Sequence, residues 1–316
     1  MNDLCTAILN EVNKVVVGKE TVVSKVLMAI LTGGHVLLED VPGVGKTTLT
    51  LAFSTALGLD SRRIQFTSDT VPSDVVGFSV YDKDSGEFNY KPGAIMTNIL
   101  LADEINRTSS KTQSALLEAM EEFKVTVDGV THTLPEPFVV LATQNPVGSA
   151  GTQMLPNSQL DRFIIRLTMG YPDVESQINI LRDRHEDNPL NRIGAVTSPE
   201  GVARLVAEAG SVYISDIVYR YVTLLAEATR IHPLVKLGVS PRGALAMSRL
   251  AKARAFIDGR DFLIPEDVAG IFKDVCGHRL VLSSKARLME MDEFAILDEI
   301  LQSVEMPVMQ SVMQNA

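Results

Sequence analysis

The residues best suited to chemistry lie in the segment 35–49, where an apolar run leads through glycines and a proline into a lysine and two threonines. Gly43 and Gly45 would let backbone N–H groups approach the oxygens of a phosphate. The ammonium group of Lys46 would add positive charge, and the hydroxyl of Thr47 is a suitable ligand for Mg²⁺. This segment predicts a phosphate-binding loop and hence a nucleotide site.

The consensus for such a loop, G-x-x-x-x-G-K-[ST], has glycine where this chain has Asp40. The flanking segments still favour a loop, because residues 36–38 are typical of a buried parallel strand and residues 48–57 of a helix that ends near Gly58. A glycine-rich turn with a solvated lysine is the alternative interpretation. We expect the whole loop to bind the nucleotide, through Asp40, Val41, Pro42, Gly43, Val44, Gly45, Lys46, Thr47 and Thr48.

Two further apolar runs end in polar side chains that could act on a bound phosphate. The first ends in Asp103 and Glu104. Asp103 would hold Mg²⁺ through water, and Glu104 would deprotonate the water that attacks the γ-phosphate. The second run, residues 138–143, leads to Asn145, whose amide could hydrogen-bond the γ-phosphate and that water. Asn-Pro is also a common turn dipeptide, so a simple turn remains open there.

The elements that must position these groups alternate between strand and helix up to residue 172. Such alternation predicts an α/β domain, residues 1–172, with a parallel sheet between helices. Two β-hairpins, residues 77–91 and 124–134, are expected as additions to it. Beyond that point only helical periods remain, which predicts an all-helical second domain over residues 173–316.

Composition restricts the function classes. The formal net charge of −10 argues against a general nucleic-acid binder, because neutralising phosphates normally requires a basic surface. No apolar stretch approaches the roughly 20 residues that span a bilayer, and the N-terminus lacks a signal-peptide pattern, so a cytoplasmic protein is expected. Cys5 and Cys276 have no metal-site spacing. The metal should therefore arrive with the nucleotide.

Seven segments in order along the chain resemble those of the AAA+ ATPases, specifically the MoxR family. They are VPGVGKT (41–47), RIQFTSDTVPSDVVG (63–77), LLADEINR (100–107), ALLEAMEE (115–122), VLATQNP (140–146), LDRF (160–163) and SPRG (240–243). The resemblance implies an α/β fold with sheet order 5-1-4-3-2, a C-terminal helical lid, and an ATP-driven ring that is usually a hexamer.

The resemblance also implies roles for single residues. Asp103 and Glu104 become the second phosphate-site motif of this fold, and Asn145 becomes its first sensor. Arg162 is the expected arginine finger that reaches the ATP of a neighbouring subunit, with Arg107 as a competing candidate. From the residues alone, Arg162 could equally form a surface salt bridge at the start of a strand.

Three further residues complete the site that the family implies. Arg242 looks like the second sensor, and Val17 with Gly18 looks like the edge of the adenine pocket. All of these roles are expectations carried over from the family motifs.

The function implied is an Mg²⁺-dependent ATPase that remodels or matures a protein client, often with a partner bearing a von Willebrand A domain. A DNA-linked AAA+ ATPase of the helicase or helicase-loader type is the alternative. A nucleotide-gated scaffold without catalysis is disfavoured by Glu104. The first hairpin has three acidic residues and two lysines in residues 78–91, whereas a hairpin that tracks a DNA strand would be basic.

Overall fold

The computed structural model describes residues 1–41, 43–145, 154–186 and 188–308. The chain divides into two compact units. One is Asp3–Val206, and the other combines Met1–Asn2 with Ala207–Ala316. The predicted domain boundary after residue 172 stays a prediction.

The first unit alternates helices and strands, as expected. In chain order they are α1 (Asp3–Asn13), α2 (Glu20–Leu31), β1 (Val36–Glu39), α3 (Lys46–Leu57), β2 (Ser61–Gln65), α4 (Pro72–Val76), β3 (Gly77–Tyr81), β4 (Phe88–Pro92), β5 (Ile99–Asp103), α5 (Ser110–Glu122), β6 (Lys124–Val127), β7 (Val130–Thr133), β8 (Val139–Gln144), α6 (Asn157–Leu160), β9 (Ile165–Leu167), α7 (Val174–Glu186) and α8 (Pro199–Ser211), the last of which continues into the second unit.

Five of these strands form one parallel sheet in the order β2-β5-β8-β1-β9. If these five are numbered in chain order, the order is 2-3-4-1-5, which is the expected 5-1-4-3-2 viewed from the other side. Residues 99–102 of β5 and all of β8 are buried. The apolar runs read from the sequence are therefore central strands, covered on one face by a core that includes Leu116, Leu117 and Met120 of α5.

Both predicted hairpins are present as separate two-stranded antiparallel sheets, β3 with β4 and β6 with β7. The base of the first is tightly packed. Gly77 has a φ of 94°, and a Cβ atom there would lie 2.4 Å from the carbonyl oxygen of Lys91. Toward its tip the hairpin exposes aromatic rings, with Tyr81 and Phe88 in contact at a centroid distance of 5.3 Å.

The second unit is mainly helical, which confirms the expected helical lid. Its elements are α9 (Asp216–Ile231), β10 (Val235–Leu237), α10 (Pro241–Ile257), α11 (Pro265–Cys276), β11 (Val281–Leu282), α12 (Ser284–Leu288) and α13 (Glu293–Ser303). The antiparallel pair of β10 and β11 was not predicted. Strands of two or three residues are too short to show a period in the sequence. Within the described parts of the chain, no helix is both long and apolar enough to cross a membrane.

Candidate active site

A cleft of about 340 Å³ opens at the carboxyl edge of the sheet, where β5 ends and α3 begins. Ligands of open parallel sheets bind at this edge, because the loops after the strands converge there. The cleft gathers residues that lie far apart in the sequence. Its lining residues are Gly43, Gly45, Lys46, Thr47, Thr48, Arg63, Gln65, Asp103 and Glu104.

The loop between β1 and α3 has the backbone of a phosphate cradle. Gly43 and Gly45 have φ values of 87° and 100°, in the left-handed region that favours glycine. Gly45 is the residue before α3, so the free N–H groups of that helix begin at the cleft. Lys46 bends back over the loop, with Nζ 3.0 Å from the carbonyl oxygen of Val41 and 3.3 Å from that of Asp40. A phosphate could replace those carbonyls as the partner of the ammonium group.

Asp40 fixes the start of the loop to the end of β9. Its buried carboxylate accepts hydrogen bonds from the backbone N–H groups of Met169 and Gly170, the latter at 2.9 Å, and from that of Val41 at 3.2 Å. Glycine could make none of these bonds. The departure from the consensus therefore has a structural reason, and the carboxylate is engaged by backbone rather than free in the cleft.

Asp103 has a partner on each of its carboxylate oxygens. Thr143 Oγ1 donates to Oδ1 at 2.6 Å, and Arg63 Nη2 donates to Oδ2 at 2.7 Å. The same threonine hydroxyl accepts the backbone N–H of Glu104 at 2.8 Å. Thr143 therefore orients both residues of the acid pair.

Glu104 departs from the strand instead of continuing it. Its φ of 57° and ψ of 50° are left-handed, and a short 3-10 helix, Ile105–Arg107, follows. This turn directs the side chain to the cleft beside Asp103. Arg107 Nη1 lies 2.7 Å from Glu104 Oε2, so the second acid is also paired with an arginine of its own chain.

The predicted sensor Asn145 follows β8, the strand between β5 and β1, and therefore lies at the same edge of the sheet as the cleft. Asn106, buried in the 3-10 helix, donates from Nδ2 to the carbonyl oxygen of Asn145 at 3.3 Å. This bond joins the segment after the acid pair to the sensor position.

Val17 and Gly18, the expected adenine edge, lie in the same compact unit as the loop. Gly18 has a φ of 71°, and a Cβ atom there would lie 2.2 Å from Ser176 Oγ in α7. The turn between α1 and α2 therefore packs closely against the start of α7.

Arg162 lies away from this cleft, at the opposite, amino edge of the sheet. It precedes β9, and residue 164 donates from its backbone N–H to the carbonyl oxygen of His35, just before β1. Its guanidinium pairs with Glu121 Oε2 at 3.2 Å and donates to the carbonyl oxygen of Leu117, both in α5. Because β1 has four residues, the two edges are separated by roughly 13 Å at about 3.3 Å per residue.

Arg242 lies in the first turn of α10, in the second compact unit. Pro42, the remaining loop position with a predicted role, lies outside the described residues. Among the residues that the structure does describe, no group of three or more His, Cys, Asp or Glu side chains could hold a metal ion.

Sequence reasoning missed Arg63, Thr143 and Asn106. Each had a signal that was not used: Arg63 opens the segment RIQFTSDTVPSDVVG, Asn106 follows the acid pair, and Thr143 ends a buried strand. None of them belongs to the phosphate loop or the acid pair.

Two family models match parts of the chain. Residues 35–165 match the ATPase family associated with various cellular activities (AAA), and residues 227–300 match the AAA lid domain. The uncharacterised protein YeaC of Bacillus subtilis is 46% identical over 306 residues, which cover 97% of this chain and 96% of YeaC.

Two further similarities extend that result. The chaperone MoxR1 of Mycobacterium tuberculosis is 37% identical over 314 residues, which cover 96% of this chain and 83% of MoxR1. A crystal structure of a candidate ATPase from Cytophaga hutchinsonii matches with a TM-score of 0.90 at 37% sequence identity. The match covers 97% of this chain and 96% of the Cytophaga chain. With the loop, the acid pair and the sheet order, these similarities show that the chain belongs to the MoxR family of AAA+ ATPases.

Proposed function

We propose that this protein is an Mg²⁺-dependent ATPase of the MoxR type that works as a ring, with a hexamer as the expected form, and remodels or matures a protein client. The family supports ATPase activity in general. The observation that carries the specific proposal is the convergence of Lys46, Thr47, Asp103 and Glu104 on one cleft. A cytoplasmic location is part of the proposal.

The cleft has the donor set that a nucleotide-borne Mg²⁺ requires. Thr47 offers a hydroxyl oxygen and Asp103 a carboxylate oxygen, and hard oxygen ligands suit this ion. Few protein ligands suffice, because Mg²⁺ keeps several waters and binds phosphate oxygens. When bound, the ion would neutralise charge on the β- and γ-phosphates.

The residues of the cleft divide the work of hydrolysis. The N–H groups at Gly45 and the start of α3 would bind phosphate oxygens, while the Lys46 ammonium would neutralise their charge. Glu104 would take a proton from the attacking water. Its pairing with Arg107 at 2.7 Å occupies one carboxylate oxygen, so Glu104 must release that arginine to use both oxygens.

Arg162 supports a shared active site. It lies at the amino edge of the sheet, away from the cleft of its own chain, so a role at an ATP requires the ATP of another copy. Arg107, the competing candidate, pairs with Glu104 of its own cleft. We therefore favour Arg162 as the finger in trans, and we propose that Asn145 and Arg242 act as sensors and that Val17 and Gly18 border the adenine.

A protein client is favoured over DNA by the exposed surface of the first hairpin. Phe78, Tyr81 and Phe88 are exposed there, among more acidic than basic residues. Exposed aromatic rings on a surface without net positive charge suit a polypeptide better than a phosphate backbone. A relative is named a chaperone, and a partner with a von Willebrand A domain remains part of the proposal.

Substitution of Glu104 by Gln tests this function. We expect Glu104→Gln to bind ATP with an affinity near that of the wild type and to lose phosphate release, because the amide cannot accept the proton of water. A fluorescent ATP analogue measures binding, and a phosphate assay measures turnover. Wild-type turnover in Glu104→Gln would show that the base lies elsewhere.

The same variant offers a way to find the client. Held in the ATP state, an affinity-tagged Glu104→Gln ring should retain a protein that the wild type releases. The matched control is Lys46→Ala, which should not bind ATP and should retain nothing. Equal recovery of the same proteins with both variants would contradict an ATP-dependent interaction.

A further inference from the structure

The acid expected to face Mg²⁺ is already paired with a cation of the protein. Arg63 Nη2 lies 2.7 Å from Asp103 Oδ2 and 2.8 Å from Gln65 Oε1. The Arg63 side chain is 51% exposed and lines the cleft together with Lys46 and Thr47. An arginine from β2 therefore occupies the carboxylate where a metal-bound water would be held.

The register of the sheet explains how Arg63 reaches this position. In the pairing of β2 with β5, Gln65 is opposite Asp103, and Arg63 is two residues earlier on the same strand. Residues two apart on a strand share a face, so Arg63, Gln65 and Asp103 project to the same side. Arg62 projects to the other side and donates from Nη1 to the carbonyl oxygen of Gly93, at the base of the first hairpin, at 3.0 Å.

Arg63 and an incoming Mg²⁺ would compete for Asp103. The guanidinium group cannot end this competition by losing its proton, because its charge is permanent in proteins. If Mg²⁺ and Arg63 both stayed on Asp103, two cations would share one carboxylate. The incoming triphosphate supplies a better partner for the arginine, since guanidinium groups bind phosphate oxygens through charge-assisted, often bidentate, hydrogen bonds. Arg63 already lines the cleft, and about half of its side chain is exposed to solvent.

We propose that Arg63 is a nucleotide-binding residue that exchanges partners: it holds Asp103 before nucleotide binds and moves to the phosphates when MgATP enters. This inference rests on the proposed MgATP site. It assigns to Arg63 two opposite effects, a favourable contact with ATP and a competition with Mg²⁺ for Asp103. Their separation by experiment distinguishes this role from a merely structural one.

The test measures binding of a slowly hydrolysed fluorescent ATP analogue to the full chain, in EDTA and with increasing Mg²⁺. In EDTA, Arg63→Gln should bind the analogue about 10-fold or more weakly, the loss expected for a charge-assisted hydrogen bond. With saturating Mg²⁺ the loss of affinity in Arg63→Gln should be smaller, because Mg²⁺ no longer competes with an arginine for Asp103. For the same reason, the Mg²⁺ concentration that gives half of the gain in affinity should be lower in Arg63→Gln than in the wild type. The affinity of Arg63→Lys should lie between those of the wild type and Arg63→Gln, because lysine keeps the positive charge but lacks the planar guanidinium group.

Arg62→Gln is the matched control, since it removes the neighbouring arginine on the other face of β2 and should keep the wild-type metal dependence. Equal weakening of Arg63→Gln in EDTA and in Mg²⁺, with an unchanged Mg²⁺ midpoint, would overturn the exchange. Failure of the wild type to bind the analogue under any condition would instead overturn the proposed function and this inference with it. Thermal midpoints of the three variants confirm that each protein is folded.

Discussion

The two edges of the central sheet differ sharply in how they treat polar groups. At the carboxyl edge, Asp103 and Glu104 are paired with half-exposed arginines, and Lys46 spans carbonyls of its own loop. These arginines are accessible to solvent. At the amino edge, His35 is buried and its two ring nitrogens are bound by backbone groups.

His35 is fully enclosed by hydrogen-bonding and aromatic partners at the amino edge. Its Nδ1 accepts the N–H of Val140 at 3.0 Å, so Nε2 carries the proton and donates to the carbonyl oxygen of Met120 at 2.9 Å. The ring also packs against Phe123 and Phe138. Burial lowers the pKa of His35 from 6.5 to about 4, because a charged ring would lose its hydration there.

The same strands therefore differ in role at their two ends. At the amino edge, the ring of His35 is hydrogen-bonded on both nitrogens inside the protein. At the carboxyl edge, the charges of Asp103 and Glu104 are neutralised by arginines that remain accessible to solvent. Arg162, also at the amino edge, differs from His35 because its guanidinium is partly exposed.

The largest effect is expected from breaking the carboxyl edge at Lys46. Lys46→Ala should abolish ATP binding and with it turnover, because the phosphates lose their nearest positive charge. Titration with a fluorescent ATP analogue measures this. Lys111→Ala, which removes an exposed lysine at the start of α5, should bind as the wild type does. Unchanged affinity in Lys46→Ala would mean that the cleft is not the nucleotide site.

The next effect sharpens the assignment of Arg162 to a neighbouring site. Arg162→Ala should keep ATP binding and lose about 10³- to 10⁵-fold in turnover, the range known for arginine fingers. Mixing Arg162→Ala with Glu104→Gln should restore part of the rate, since each chain supplies what the other lacks. Arg107→Ala should show no such recovery with Glu104→Gln. Absence of recovery for Arg162→Ala at every mixing ratio argues against a role in trans.

A smaller effect tests the closed amino edge through pH. The folded-state pKa of His35, about 4, is below its ordinary value of 6.5, so the unfolded chain binds the extra proton first as the pH falls. The part of the free energy of unfolding that depends on a neutral His35 is therefore fully present above pH 6.5. It is lost progressively as the pH falls toward 4, by up to about 3 kcal/mol.

Thermal midpoints between pH 4 and 7 measure this slope. His35→Gln should have a flatter profile than the wild type, because its side chain does not titrate. His132→Gln, which changes a histidine of the second hairpin, should keep the slope. A wild-type slope in His35→Gln would show that another group is responsible.

The smallest effect is expected from DNA. Because neither the cleft nor the first hairpin presents an excess of positive charge that would hold a strand, single-stranded DNA should leave the ATPase rate within experimental error. The same assay with a known DNA-stimulated ATPase verifies that the DNA is active. Strong stimulation of this protein would favour the helicase-like alternative.

Much of the fold could be predicted because its signals are local. The apolar runs before Asp103 and Asn145 were read as strands, and the structure has both. Gly58 was expected to end the helix after the loop, and it does so with a φ of 63°. The pair of β10 and β11 was missed because strands of two or three residues are too short to show an alternating pattern in the sequence.

The amino-acid sequence specifies which chemical groups are present and in what order: the loop with Lys46, the acid pair and the motifs that identify the family. Which of these groups come into contact depends on the tertiary structure. Asp40 binds the backbone at Met169 and Gly170, and Arg63 reaches Asp103. The reason is that local spacing specifies strands and turns, whereas contacts between distant residues depend on strand order and register, which bring two chain segments to the same edge of the sheet.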